Sequence, residues 1–393
     1  MRYVRRELEI VVEKAARNFG VVVVTGPRRS GKTQLLRHVR PDAEYFLFED
    51  PDVVARFRHD PQAFLDAVRG PAVLDEIQNV PEVFNYVRSR VDAVPRRTGR
   101  WFLTGSHESG LMRHVTESMA GRAAVLQLLP FSTRESAKAS VLRGGYPEVL
   151  ARPRASRLWF SSYLQTYIER DVRSIAAIQD MSLFRRFLAL VASRHGQILN
   201  KTDLAAPLGL SVPSVARWLD ILEATAQILI VPPYFTNLGK RLVKSPKMYI
   251  ADSGLACHLL GIDTEAELAK SPFRGALFEG FIASEIVKSQ VHAGRRREIY
   301  HFRDRQGLEV DFVVPARNGG AQLIEVKASS TVTPDMAEPM RRLAAAWTKG
   351  SGPRGDLSMH LVHIAPRAGV VTRAIAPGVE AIAWQQFVRE ALR

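Results

Sequence analysis

Cysteine is almost absent from the chain, because Cys257 is the single one among 393 residues. One cysteine excludes an intramolecular disulfide and fits a reducing compartment. Long apolar runs are missing too, since no stretch approaches the roughly 18 apolar residues of a membrane span. The first nine residues are too charged to form the apolar core of a secretion signal. We therefore expect a cytoplasmic protein with no membrane partner.

Acidic residues are in short supply. The chain has 40 Asp and Glu against 55 Lys and Arg, which gives a net charge of +15. Such a surplus favours a polyanionic partner, and nucleic acid, DNA rather than RNA, is the leading candidate. A basic surface that serves only solubility is the alternative. The chain is also too long for one ordinary core, so we expect two or three domains.

Positions 26–33 match the P-loop pattern G-x-x-x-x-G-K-[ST] at every fixed position, after an apolar run at 21–24 that predicts a buried strand. They are Gly26, Pro27, Arg28, Arg29, Ser30, Gly31, Lys32 and Thr33. The backbone N–H groups of such a loop bind phosphate oxygens at a helix N-terminus. Lys32 is expected to neutralise the β- and γ-phosphates of ATP, and Thr33 to hold Mg²⁺. Arg28 and Arg29 are further candidates for phosphate contact.

Two acids follow the apolar run at 72–74, in the arrangement called Walker B. Asp75 is expected to join the Mg²⁺ shell, and Glu76 to polarise the attacking water. An ordinary helix cap is the alternative for such a pair, but the upstream P-loop favours catalysis. The sequence therefore predicts ATP hydrolysis on a β-α-β-α pattern, which indicates a parallel sheet.

Later polar residues are candidates for completing this site. The predicted strand at 101–104 ends in Thr104, and its hydroxyl or that of Ser106 could orient the attacking water. Arg122 is the candidate arginine finger, since a guanidinium near the γ-phosphate stabilises the transition state. Arg113 and Arg134 compete for that role.

The middle of the chain has the rhythm of a helix-turn-helix: short helices at 201–206 and 212–223 flank a turn at 209–211. Strands at 227–231 and 247–250 would form a wing, with four cations between them: Lys240, Arg241, Lys244 and Lys247. The second helix would present Ser214 and Arg217. Both nucleic-acid contact and a protein-binding role remain open for this element.

The C-terminal part combines a predicted helix bearing Glu279 with strands at 298–302, 308–314 and 322–326. Glu325 and Lys327 share one face of the third strand, and in-register pairing would place Asp311 beside Glu325. Two carboxylates to hold Mg²⁺ and a lysine to stabilise developing charge suit phosphodiester cleavage. Five arginines could hold a nucleic-acid backbone around this site or belong to a solvated loop: Arg295, Arg296, Arg297, Arg303 and Arg305.

The motifs at 26–33, 74–76, 103–106, 129–132 and 144–148 together resemble the bacterial and archaeal AAA-type ATP-binding proteins that carry a C-terminal domain of originally unknown function. Within that domain, Asp311, Glu325 and Lys327 match the PD-(D/E)xK nuclease pattern, and Glu279 matches the helical acid that many such nucleases add. The resemblance implies a homo-oligomer, a hexameric ring among the options, with the arginine finger supplied by a neighbour. The segment at 131–144 is short for this family, which implies a reduced lid.

We accordingly expect an α/β protein with a P-loop AAA-type ATPase domain at 1–130 and a short lid remnant and helical linker at 131–195. A winged helix at 196–255 and an endonuclease-like α/β domain at 270–393 would follow. The expected function is a Mg²⁺-dependent ATPase acting on DNA, as a translocase or remodeller with metal-dependent nuclease activity. The alternative is an ATP-switched regulatory or toxin-like protein whose endonuclease-like domain only binds a partner.

Overall fold

The computed structural model describes residues 3–105, 119–168, 180–234, 245–316, 318–348, 355–365 and 374–392, without the side chains of 167 and 168. Five residues singled out in the sequence lie outside these ranges: Ser106, Arg113, Lys240, Arg241 and Lys244. Within the described ranges, no helix combines the length and apolar character that crossing a membrane requires.

The N-terminal part folds as a parallel five-stranded sheet. Its strands are β1 (Val21–Thr25), β2 (Glu44–Leu47), β3 (Ala72–Asp75), β4 (Trp101–Thr104) and β5 (Ala123–Gln127). They are ordered β2-β3-β4-β1-β5, and every pairing is parallel. This α/β sheet agrees with the sequence, and it brings the carboxyl ends of all five strands to one edge, where such sheets bind ligands.

Within the described part of this domain, five helices cover both faces of the sheet. They are α1 (Leu8–Asn18), α2 (Lys32–Val39), α3 (Pro51–His59), α4 (Pro61–Ala67) and α5 (Val83–Ala93). Val22 and Val24 pack in one core with Leu8 of α1, whereas Val21 and Val23 pack in the opposite core. Strand β1 is therefore apolar from Val21 to Val24 because both of its faces are buried.

The middle segment surrounds a three-stranded antiparallel sheet of order β6-β8-β7. Its elements are α6 (Pro147–Ala151), α7 (Ser156–Tyr163), α8 (Met181–Ser193), β6 (Gln197–Ile198), α9 (Lys201–Ala205), α10 (Val212–Ala224), β7 (Ile228–Val231) and β8 (Lys247–Ile250). Phe184 and Phe187 of α8 lie 5.4 and 5.1 Å from the ring of Trp218 on α10. Helix α8 thus packs in the same core as α9 and α10. The domain boundary predicted at residue 196 excludes α8 from the winged helix.

The C-terminal part contains a mixed six-stranded sheet of order β13-β14-β12-β11-β10-β9. Its elements are α11 (Ser253–Leu259), α12 (Glu265–Lys270), α13 (Arg274–Val291), β9 (Tyr300–Arg303), β10 (Glu309–Pro315), β11 (Ala321–Lys327), α14 (Glu338–Thr348), β12 (Leu357–His363), β13 (Ala374–Ala376), β14 (Val379–Ala383) and α15 (Trp384–Glu390). Helix α13 packs on one face through Phe281 and Ile282, and α14 on the other through Met340 and Leu343.

A buried guanidinium joins the P-loop to the segment that follows β5. Arg6, only 3% exposed, donates to the carbonyl oxygens of Ser30 at 2.8 Å and Leu129 at 2.6 Å. Its Nε also lies 3.0 Å from Glu135 Oε1, and its guanidinium stacks 4.5 Å from the centre of the Phe131 ring. The interaction fixes residues 129–135 against the nucleotide loop.

The same segment is anchored to α13 on its other side. The N–H of Leu129 donates to His292 Nε2 at 3.1 Å, and Lys288 Nζ donates to the carbonyl of Phe131 at 3.0 Å. Burial lowers the pKa of His292 to about 4, so the neutral imidazole can accept this bond. Residues 131–135, predicted as the start of a lid remnant, therefore form a strap between the P-loop and α13.

We expect Arg6→Met to lower the free energy of unfolding by about 3–5 kcal/mol, because it leaves the Glu135 carboxylate buried without its partner. The matched control is Arg5→Met, since the Arg5 side chain is 79% exposed and pairs only with Glu9 at 3.5 Å. This control should change stability by no more than about 0.5 kcal/mol. Urea unfolding followed by circular dichroism measures both, and equal effects would contradict the role given to Arg6.

Candidate nucleotide and metal sites

The P-loop glycines stand where other residues would not fit. Gly26 has φ 137°, and a Cβ there would lie 2.1 Å from the carbonyl oxygen of Leu128. Gly31 has φ 98° at the N-cap of α2. Only glycine adopts such angles without strain. The pattern read in the sequence is thus explained by backbone geometry as well as by phosphate chemistry.

Lys32 is folded across its own loop. Its side chain is buried, and Nζ donates to the carbonyl oxygens of Gly26 and Pro27, both at 3.0 Å. Phosphate oxygens are acceptors of the same kind with more charge, so nucleotide would take over these bonds. The contact of Lys32 with the β- and γ-phosphates stays a prediction.

The two arginines of the loop turn toward acids. Arg28 Nη1 lies 3.3 Å from Glu49 Oε1, and Arg29 Nη1 lies 3.3 Å from Glu148 Oε1. Both pairs are partly exposed, so each arginine can exchange its acid for a phosphate at little cost.

Asp75 is the centre of a hydrogen-bond network at the end of β3. Its Oδ2 accepts from Thr33 Oγ1 at 2.7 Å and from the Tyr45 hydroxyl at 2.6 Å, and its Oδ1 accepts from Thr104 Oγ1. Burial, and then Asp75, raise the pKa of Tyr45, so the phenol stays a donor. Tyr45 was not singled out in the sequence, where it marks only an apolar strand. A long side chain with a polar tip on the strand beside Walker B is the signal that could have found it.

Glu76 adopts an unusual backbone conformation directly after β3. Its φ of 56° and ψ of 45° lie in the left-handed region, and strain of this kind in a non-glycine residue clusters at functional sites. Gln78 Nε2 donates to Glu76 Oε2 at 2.5 Å, and Glu76 N–H donates to Thr104 Oγ1 at 3.3 Å. Thr104 contacts Asp75 and this N–H, and its role in orienting the attacking water stays a prediction.

Neither described candidate for the arginine finger faces its own P-loop. Arg122 Nε lies 2.5 Å from Asp92 Oδ1 on the surface, at the amino end of β5. The P-loop is at the carboxyl end of the sheet, about five residues or roughly 16 Å away along the strand direction. Arg134 pairs with Glu7 at 2.6 Å and donates to the carbonyl oxygen of Leu392 at 3.3 Å.

A second constellation forms where β10 and β11 separate. Their ladder ends at the pair Phe312 and Ile324, and beyond it the Asp311 carboxylate accepts the N–H of Val326 at 2.9 Å. The pairing of β10 with β9 shifts register between Val310 and Val313, which is a bulge at Asp311. Bulges often re-aim a side chain beside an active site.

Glu325 and Lys327 meet at this fork, as the alternation along β11 predicts. Lys327 Nζ lies 2.6 Å from Glu325 Oε1. Glu325 is 5% exposed, and its Oε2 has no hydrogen-bond partner among the described residues. Burial, and then the neighbouring Asp311, raise the pKa of Glu325 to about 8. A buried carboxylate oxygen without a hydrogen-bond partner can offer its lone pair to a cation, and binding a cation would satisfy it.

Glu279 reaches the constellation from α13, and a lysine and a tyrosine from β8 hold it. Glu279 Oε1 accepts from Lys247 Nζ at 2.9 Å and from the Tyr249 hydroxyl at 2.5 Å. Burial, and then Asp311, raise the pKa of Glu279 to about 7. The sequence assigned Lys247 to a basic wing, and this is wrong: the side chain is 4% exposed and its charge is used internally.

The five arginines predicted around this constellation are divided between two places. Arg303 lies 3.4 Å from Glu309 Oε2, next to the site, and Arg305 is exposed on the adjoining turn. Positions 295–297 instead follow the far end of α13 and line a cavity of about 760 Å³ with β5 and the end of α10. The 18-residue length of α13 separates the two ends by about 27 Å.

The residues of both sites suit Mg²⁺, which prefers oxygen ligands. The Thr33 hydroxyl and the Asp75 carboxylate lie within 2.7 Å of each other beside the P-loop. At the fork, Asp311 and Glu325 supply carboxylate oxygens, and the Oε2 of Glu325 has no hydrogen-bond partner among the described residues. The side chains therefore fit the ion at each place.

Three family models match the chain. An AAA domain matches residues 18–137, and two domains of unknown function, DUF8612 and DUF4143, match residues 134–266 and 274–357. The AAA domain covers the P-loop, Walker B and the five-stranded sheet. The two models that match the rest of the chain are domains of unknown function, so they assign no activity to it.

Similar proteins cover most of the chain. The uncharacterized proteins Rv2008c of Mycobacterium tuberculosis and Mb2031c of Mycobacterium bovis are each 32% identical to it over 344 residues, 86% of this chain and 76% of theirs. Among solved structures, the Walker-type ATPase PABY2304 of Pyrococcus abyssi aligns with a TM-score of 0.46 at 15% identity, over 66% of this chain and 96% of that one. The chain contains an AAA-type P-loop ATPase domain and belongs to the family of Rv2008c and Mb2031c.

Proposed function

We propose that this chain is a Mg²⁺-dependent ATPase that acts on DNA through a C-terminal nuclease site of the PD-(D/E)xK type. The observation that carries the proposal is the meeting of Asp311, Glu325 and Lys327 at the bulged fork of β10 and β11. Mg²⁺ held by the two carboxylates would activate water and polarise a phosphate oxygen. Lys327 would then stabilise the charge that develops on the phosphate.

The middle segment supports a DNA partner. Its order of helix α8, strand β6, helices α9 and α10 and strands β7 and β8 is that expected of a winged helix. Arg217 is exposed on α10, and Arg303 and Arg305 are exposed beside the fork. Together with the net charge of +15, these cations favour contact with phosphates without strong base preference.

A second candidate function is an ATP-switched regulator whose C-terminal domain binds a partner without cleaving nucleic acid. One observation favours it: the Lys247 ammonium already occupies the space between Glu279, Glu309 and Asp311. In that case DNA should leave the rate of ATP turnover unchanged, and the protein should show no salt-dependent affinity for DNA.

The test of the proposed function compares wild type with Asp311→Asn on labelled duplex, branched and single-stranded DNA, with and without ATP and Mg²⁺. We expect DNA to raise ATP turnover, DNA affinity to fall with salt, and Asp311→Asn to abolish cleavage while keeping DNA binding. Lys327→Met should slow cleavage by about 10²-fold or more. Asp335→Asn, an exposed acid of the same domain, is the matched control. Failure to bind any of these DNA substrates, whatever the salt concentration, would favour the regulator.

The ATPase roles predict two different kinetic defects. Lys32→Ala should abolish tight ATP binding, because the ammonium contacts ground-state phosphates. Glu76→Gln should bind ATP but stop turnover, because the carboxylate acts as water is oriented for attack. Fluorescent-nucleotide binding and phosphate release measure the two steps, with the exposed Glu13→Gln as control. Equal loss of ATP binding in both variants would show that Glu76 is not the catalytic acid of Walker B.

The position of Arg122 at the opposite end of the sheet supports a finger supplied by a neighbouring subunit of a ring, for which we propose a hexamer. Specific ATPase activity should then rise with protein concentration. Arg122→Ala subunits mixed into wild type should reduce turnover out of proportion to their number, whereas the exposed Arg96→Ala should not. Concentration-independent turnover by a monomer in light scattering would rule this arrangement out.

A further inference from the structure

The C-terminal site includes a lysine that the sheet carrying its acids does not supply. Lys247 belongs to β8 of the three-stranded sheet, yet its Nζ lies 2.6 Å from Glu309 Oε1, 2.9 Å from Glu279 Oε1 and 3.5 Å from Asp311 Oδ1. The lysine is 3% exposed. Three carboxylates from two other elements thus converge on one buried ammonium, a pattern usual for a metal ion.

The charges around this lysine do not balance. Four carboxylates meet at the fork, from Glu279, Glu309, Asp311 and Glu325, whereas Lys247 and Lys327 supply two positive charges. Arg303 reaches Glu309 only at 3.4 Å and is itself exposed. The unpartnered Glu325 Oε2 marks where the compensation is incomplete. The carboxylates at the fork therefore outnumber the buried cations, and this excess of negative charge would favour one further cation.

We propose that Lys247 is a built-in competitor for divalent cations, so that the C-terminal site binds a metal ion at Asp311 and Glu325 only against the Lys247 ammonium. The metal ion and the Lys247 ammonium compete for Asp311. Its Oδ2 accepts the N–H of Val326, and its Oδ1 is the oxygen that faces Lys247. Its contact with Lys247 is the longest of the three, so it is the first that an ion would displace. A divalent ion on this carboxylate repels the ammonium through a poorly screened interior. The inference rests on the metal site of the proposed function and adds its regulation by the middle segment.

The experiment titrates Mn²⁺ into the nucleotide-free full-length chain by calorimetry. Lys247→Gln should bind Mn²⁺ about tenfold or more tighter than wild type, because the competing charge is gone. Lys247→Arg keeps the charge and should bind as wild type does. Lys288→Gln is the matched control, since it removes another buried lysine that pairs with Glu285 at 3.2 Å away from the fork. Equal or weaker binding by Lys247→Gln would overturn the proposal, as would an equal gain in Lys288→Gln.

Glu325→Gln separates the two levels of the argument. If it abolishes Mn²⁺ binding while Lys247→Gln behaves as wild type, the metal site stands and only the competition fails. If Glu325→Gln leaves Mn²⁺ binding unchanged both in the wild-type chain and in Lys247→Gln, the metal site itself fails. If Lys247→Gln fails to show a cooperative thermal transition in EDTA, recovery of the transition when Mn²⁺ is added supports the proposal, and failure to recover it contradicts the proposal.

Discussion

The buried guanidinium of Arg6 is the interaction on which the arrangement of the two sites depends. A charge this deep is stable only when every donor has an acceptor, so Ser30, Leu129 and Glu135 must all stay in place around it. The strap held by Arg6 is fixed to the C-terminal end of α13, and the N-terminal half of the same helix supplies Glu279. One rigid helix therefore links the surroundings of the P-loop to the fork of β10 and β11.

The parts of the sites that the sequence predicts are those encoded locally. A P-loop must place glycines at Gly26 and Gly31 because the backbone there adopts positive φ angles. Asp75 follows an apolar run because a parallel strand buried on both faces ends at the ligand-binding edge. Glu325 and Lys327 share a face because the strand alternates. Each of these is a short-range rule, and for each the structure has the residue where the rule puts it.

The residues that the sequence did not reveal act over long separations. Arg6 lies in a charged N-terminal segment where any arginine looks solvated, and its partners are up to 129 residues away. Lys247 stands beside three cations in the sequence, so its pairing with Glu279 and Glu309 is invisible there. The arginines at 295–297 lie away from the fork because they follow the far end of α13, and the sequence does not show where the length of that helix places them.

At both sites a lysine is paired with oxygen atoms of the protein itself. Lys32 donates to the carbonyl oxygens of its own loop, and Lys247 to the carboxylates of the fork. Binding at either place is therefore an exchange, and its free energy is the difference between two sets of polar contacts rather than the sum of new ones. The two exchanges differ in sign of charge. An anion entering the P-loop would gain the Lys32 ammonium as a partner, whereas the cation that we propose for the fork would have to displace the Lys247 ammonium. Entry of that cation would therefore be the more strongly opposed of the two.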